Sequence, residues 1–201
     1  MGADHYFDES PTAHDRRRTV TATIWGATHT FTTASGVFAH DGLDKATALL
    51  LRQAPPVHAH SLLDLGCGWG PIACALALAV PGARVHAVDI NERARELTAL
   101  NAERLGAAVH VHAPDAVPDH LVFDEIWSNP PIRIGKQALH ELLLRWLPRL
   151  APGGHARMVV GKNLGADSLQ RWLGEHEWPT ERLASEKGFR ILETRRPDAS
   201  R

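Results

Sequence analysis

Leu62-Leu63-Asp64-Leu65-Gly66-Cys67-Gly68-Trp69-Gly70-Pro71 decides the fold. Three leucines around one aspartate, closed off by glycines, read as a buried strand. Glycine at alternate positions allows a tight turn and lets backbone amides come close to a ligand. Pro71 suits the first position of a helix, where its missing N–H costs nothing. The stretch therefore predicts a strand over 62–65, a loop, and a helix over 71–79. Downstream the rhythm repeats, with strands at 84–88, 109–112, 125–127 and 155–160 and helices at 92–105, 136–147 and 166–175. Pro152-Gly153-Gly154 reads as the stop before the fifth strand. A last pair, 181–185 and 189–194, flanks Glu186-Lys187-Gly188 and reads as a hairpin. Alternating β and α units predict an α/β fold with a doubly wound, mostly parallel seven-stranded sheet.

Upstream, residues 1–18 show little periodicity and end in Arg16-Arg17-Arg18. Residues 19–24 alternate as a half-buried strand, Gly26-Ala27 suits a turn, and 29–33 returns as a second strand. Residues 41–53 read as a helix with Leu43, Ala46, Leu50 and Leu51 toward the core. The expected division is an N-terminal extension with a β-hairpin over 1–40 and the main domain over 41–196.

The composition suits a soluble globular chain: of 201 residues, 44% are hydrophobic and 22% charged. A formal net charge of -1 does not advertise a nucleic-acid partner, although a local basic patch suffices for one. The polar, acidic start MGADHYFDES is no signal peptide. The longest apolar run, 71–80, is too short to span a bilayer, so no membrane partner and a cytoplasmic location are expected. Two cysteines build no disulfide framework. The thirteen histidines lack HExxH spacing, so no metal is expected. His110 and His112 lie two apart, on one face of a strand.

The second strand ends in Asp89, about 20 residues past the glycine loop, where a carboxylate can accept hydrogen bonds from both hydroxyls of a ribose. A nicotinamide fingerprint needs a small residue where Pro71 stands. Asp115 follows the third strand as either a ligand contact or a turn residue. The fourth strand runs into Trp127-Ser128-Asn129-Pro130-Pro131-Ile132. Each proline fixes its own φ and holds the residue before it extended. Asn129 and the Pro130 carbonyl therefore form a stiff ledge at the carboxyl end of the sheet. Two acceptors there suit an exocyclic amine, whose lone pair is delocalised and whose nitrogen must be oriented before it attacks.

Asp64 with Gly66, Gly68 and Gly70 resembles the first motif of class I S-adenosylmethionine-dependent methyltransferases. Asn129-Pro130-Pro131 resembles the N-P-P-[YF] of amino-methyltransferases, with Ile132 where an aromatic usually stacks on the target. Ser35-Gly36-Val37-Phe38, Gly42-Leu43-Asp44, Ile132-Arg133-Ile134-Gly135-Lys136 and Lys187-Gly188-Phe189-Arg190-Ile191-Leu192 extend the likeness along the chain. Together they are similar to the small methyltransferase domain of ribosomal small-subunit RNA guanine-N2 methyltransferases, whose bacterial members often carry a second, degenerate copy in front.

The resemblance implies S-adenosyl-L-methionine as cofactor, bound by Phe38, Asp64, Gly66, Cys67, Gly68, Gly70, Asp89, Ile90, Asp115 and Ala116. It implies Asn129, Pro130, Pro131 and Ile132 as the catalytic ledge. Arg133 and Lys136 would face the substrate, with Arg16 to Arg18, Lys162, Lys187 and Arg190 as further basic candidates. The implied partner is ribosomal RNA or the small ribosomal subunit. Methylation of a protein glutamine amide or of adenine N6 in a nucleic acid would use the same ledge. A nucleotide-binding oxidoreductase is disfavoured by Pro71, and a non-catalytic binding module by the intact Asn129.

Overall fold

The computed structural model describes residues 15–54, 59–131 and 134–197. Strands β1 (Arg17–Ile24) and β2 (Ala27–Ala34) pair antiparallel as a separate two-stranded sheet. Their turn is Trp25-Gly26, one residue earlier than expected, because Ile24 pairs with Ala27. Both turn residues have positive φ, 47° and 85°, the backbone that matches the twist of a hairpin. A left-handed tryptophan is costly. Trp25 is held by its indole, which donates to Leu51 O at 2.7 Å and meets Trp127 edge-on at 6.4 Å.

Helix α1 (Lys45–Gln53) starts at Lys45 rather than at 41. Asp44 caps it, accepting from the backbone N–H of Ala46 and Thr47. Then follow β3 (Ser61–Leu65), α2 (Pro71–Ala79), β4 (Arg84–Val88), α3 (Glu92–Leu105), β5 (Val109–His112), β6 (Phe123–Ser128), α4 (Lys136–Trp146), β7 (Leu150–Gly161), α5 (Ala166–Glu175), β8 (Thr180–Glu186) and β9 (Phe189–Arg195). Pro71 opens α2 as read, behind Gly70 at φ 88°. Strand β7 begins at Leu150, so Pro152-Gly153-Gly154 lies inside it rather than before it. Here the pairing of β6 with β7 shifts register, and a Cβ on Gly154 would sit 2.8 Å from Asp124 O. Glycine is kept there for close backbone approach in an irregular strand. Helix α4 instead ends ahead of a 3-10 turn over Leu147–Arg149, which contains Pro148.

The seven-stranded sheet has the order β5-β4-β3-β6-β7-β9-β8. Its first five strands are parallel and the β8–β9 hairpin runs antiparallel. Strands buried on both faces divide neighbouring side chains between two cores. Leu62, Trp127, Val159 and Ile191 pack beneath the β1–β2 hairpin and α1, α2 and α3. Leu63, Ile126, Val160 and Leu192 pack beneath α4 and α5. Strand β3 neighbours β4 on one side and β6 on the other, so the winding reverses beside β3. A crevice opens at such a switch point beyond the carboxyl ends of the strands.

Candidate functional site

Two loops meet at that crevice, one leaving β3 and one leaving β6. In the first, the N–H groups of Gly66 and Cys67 both donate to Val88 O, at 2.8 and 3.0 Å. Gly66, Gly68 and Gly70 all have positive φ, 81°, 58° and 88°, which only glycine adopts without strain. Gly70 has a second reason to be glycine: a Cβ there would lie 3.0 Å from the Thr98 side chain. Thr98 in turn donates to Gly68 O at 3.0 Å and braces the loop from α3.

Asp89 ends β4. Its Oδ2 accepts from Gly68 N and its Oδ1 from Asn91 N, both at 2.9 Å. Asn91 caps α3 through Ala94 N and donates to Gly36 O at 2.9 Å. The segment carrying Phe38 is thus tied to the same strand end. Asn101 performs a similar service behind the loop, bonding Thr32 N, Thr32 O and Trp69 O from a fully buried position.

Asp64 is fully buried. Its Oδ2 accepts from Ala73 N at 3.0 Å, while Oδ1 has no hydrogen-bond partner among the described residues. Burial pushes its carboxyl up to about 8, assisted by the nearby negative charge of Asp89. Burial also raises Asp89 itself and raises the Cys67 thiol well above its ordinary range. Two buried carboxyls beside a glycine loop, both shifted upward by burial, suit a ligand that brings positive charge.

In the second loop, Ser128 donates to Leu65 O at 2.6 Å and locks β6 to β3. The Asn129 amide nitrogen donates to Thr47 Oγ1 at 3.0 Å and faces both Asp44 oxygens at 3.4 Å. Asn129 Oδ1 and Pro130 O carry no hydrogen bond to any other described residue. Pro131 O is engaged by Ile134 N at 3.1 Å. Among the described residues, then, nothing engages these two acceptors on their stiff backbone.

A cavity of about 660 Å³ joins the two loops. Of the residues expected at the site, Phe38, Gly66, Cys67, Gly68, Asp89, Ile90, Asp115, Asn129, Pro130 and Pro131 line it. Asp64 and Gly70 act from behind the loop, and Ala116 and Lys136 are exposed away from the cavity wall. Ile132 and Arg133 lie outside the described residues. Asp115 is almost wholly exposed and pairs with Arg145 at 2.7 Å. Sequence reasoning missed Asp44 and Thr47 from α1, Phe189 from β9, and Trp146 with Arg145 from α4, all of which reach the cavity. Asp44 and Phe189 stood in segments that carried the family likeness, the only signal available for them.

The basic candidates fare unequally. Arg17 pairs with Asp15 at 3.0 Å, Lys187 with Glu186 at 3.5 Å and Arg190 with Asp167 at 3.2 Å, and Arg18 pairs with Asp41. Arg16, Lys136 and Lys162 have no ion pair among the described residues. His110 and His112 do share a face, stacking on His86 at 5.1 and 5.3 Å. Burial pushes His86 down to about 4. No metal-holding cluster is found among the described residues. No helix there is long and apolar enough to cross a membrane.

Comparison with known proteins shows the family of the chain. The model of the methyltransferase small domain family matches residues 28–193. The protein YbxB of Bacillus subtilis (strain 168), itself described as uncharacterized, is 32% identical over 200 residues, covering 96% of this chain and 99% of its own. Ribosomal RNA small subunit methyltransferase C of Pseudomonas aeruginosa (strain LESB58) is 37% identical over 168 residues, covering 80% of this chain and 49% of its own. The chain thus spans about half the length of that ribosomal RNA relative. Among solved structures, the T. thermophilus 16S rRNA N2 methyltransferase RsmC, in complex with AdoMet and guanosine, superposes with a TM-score of 0.75. It is 24% identical, and the match covers 90% of this chain and 50% of that one. At that identity the likeness speaks for the fold.

Proposed function

We propose that this chain, a member of the methyltransferase small domain family, methylates guanine N2 in ribosomal RNA of the small subunit, with S-adenosyl-L-methionine as donor. The observation that carries this reading is a pair of acceptors, Asn129 Oδ1 and Pro130 O, that no other described residue engages, on the wall of the cavity that also holds the glycine loop. The names of the ribosomal RNA relatives support the choice of substrate.

The donor fits the residues present. Asp89 at the tip of β4 suits a ribose diol, the left-handed glycines bring backbone close to the amino-acid end, and Asp115 suits the adenine amino group. The buried carboxyls of Asp64 and Asp89 suit its positive charge. When bound, it supplies an electrophilic methyl carbon whose bond to sulfur breaks with the electron pair leaving on sulfur.

The chain's own contribution is at the acceptor. Asn129 Oδ1 and Pro130 O accept the two N–H bonds of the exocyclic amine and aim its lone pair. As the nitrogen attacks it gains positive charge, which those same two oxygens stabilise. The methylated nitrogen is then a far stronger acid and gives up a proton to water, so no strong base is needed on the ledge. Rate enhancement comes from orientation and from fixed dipoles placed where charge develops. The apolar walls, Phe38 and Phe189 among them, suit the flat faces of a base.

The test is transfer of radiolabelled methyl groups to purified small subunits, transfer RNA and a release-factor protein, side by side. Label on the small-subunit RNA, in guanine, is the expected outcome. Label on the protein or on adenine rejects the substrate assignment and keeps the amine chemistry.

A further inference from the structure

The Asn129 amide has a donor end and an acceptor end, and catalysis uses only the acceptor. A carboxamide can turn over, and a ledge with its N–H₂ toward the substrate would repel the target amine. Something must choose. Asn129 Nδ2 lies 3.4 Å from each Asp44 oxygen and 3.0 Å from Thr47 Oγ1. A hydroxyl can donate or accept, so Thr47 alone does not decide the orientation. A carboxylate can only accept, so Asp44 admits the N–H₂ end and rejects the oxygen.

Asp44 is itself held still. Its Oδ1 accepts from Ala46 N at 2.9 Å and Thr47 N at 3.2 Å, in the first turn of α1. Thr47 is buried. The reference point is therefore a helix terminus rather than a flexible surface group. All three residues line the cavity.

We infer that Asp44 is a positioning residue for methyl transfer: it fixes the Asn129 amide with its oxygen toward the acceptor amine. The inference rests on the reading above, in which Asn129 receives that amine. Asp44 meets the donor end of the amide and acts on the amine through Asn129.

A reciprocal pair of variants tests this. Asp44→Asn keeps a good helix cap, since asparagine and aspartate cap about equally well. It also offers an N–H₂ to Asn129, which lets the amide invert. Turnover should fall about 100-fold, with melting temperature and cofactor affinity close to wild type. Asn129→Asp alone sets two carboxylates against each other and should also lose activity. The double variant Asp44→Asn/Asn129→Asp restores a donor facing an acceptor, with the second oxygen of the relocated carboxylate turned to the cavity. It should recover at least about tenfold over either single variant.

A role for Asp44 in capping alone predicts an active Asp44→Asn and no reciprocal rescue. Wild-type turnover in Asp44→Asn, or a double variant no better than the singles, overturns the inference. The wild-type arm separates this from the substrate assignment. If wild type labels another acceptor instead of the small subunit, the substrate assignment falls and the variants are compared on that acceptor. If wild type labels no acceptor at all, both fall.

Discussion

The Asp89 carboxylate accepts a hydrogen bond from Gly68 N at 2.9 Å, joining the tip of the second strand of the main sheet to the centre of the glycine loop. The same carboxylate accepts from Asn91 N. One side chain thus shapes the loop, orders the start of α3 and faces the cavity.

Asp89→Ala should therefore weaken S-adenosyl-L-methionine binding by about 1.5–3 kcal/mol, the range for hydrogen bonds to a charged group. Isothermal titration measures it directly. Unchanged affinity would show that the carboxylate is structural only, and tight NADH binding by the wild type would displace the cofactor assignment.

Asn129→Ala should lower turnover by roughly 10²–10³, the cost of one group that stabilises developing charge. Cofactor affinity should hold, because the acceptor amine and not the donor is the ligand of Asn129. Single-turnover kinetics beside titration separates the two. A collapse of cofactor binding matching the loss of turnover would assign Asn129 to the wrong ligand.

The free protein keeps a proton on Asp64 up to about pH 8. A carboxyl raised in the folded state stabilises the fold fully below its unfolded value of 3.8, and that contribution is lost as pH rises through about 8. A cationic ligand favours the ionised form, so cofactor binding should release a proton. Affinity should tighten as pH rises toward 8, by at most about tenfold per unit, and level off above. Asp64→Asn keeps an acceptor for Ala73 N and should flatten the slope. A wild-type affinity constant from pH 6 to pH 9 would contradict the linkage.

Gly70→Ala and Gly82→Ala make a controlled comparison. Both glycines are left-handed, at φ 88° and 85°. A Cβ at Gly82 meets nothing within 4 Å, whereas at Gly70 it meets Thr98 at 3.0 Å. Gly82→Ala should cost about 1–2 kcal/mol from backbone conformation alone. Gly70→Ala should cost more and also weaken cofactor binding, because the loop and α3 are forced apart. Equal losses in denaturant melts would remove the packing role given to Thr98.

Features confined to neighbouring residues were legible in the sequence. Asp64, the glycines and Pro71 mark strand, turn and helix within one short run, and Asn129-Pro130-Pro131 carries its own stiffness. The doubly wound sheet followed because each βα unit announced itself by period. Reading failed where a long-range contact chose between local options. Helix α1, read as starting at 41, begins at Lys45, where Asp44 caps its first turn and also faces Asn129. Pro152-Gly153-Gly154 reads as a break, yet Gly154 lies against the backbone of β6 and the strand continues through it. Asp44 stands 85 positions from Asn129, and no spacing rule joins an N-cap to a ledge that far along the chain.

The most direct measurement of the central claim is mass spectrometry of nucleosides from small-subunit ribosomal RNA of cells with and without the gene. N2-methylguanosine should fall when the gene is removed and return when wild type, but not Asn129→Ala, is restored. An unchanged N2-methylguanosine level, or loss of a methylated adenosine in its place, would contradict the claim.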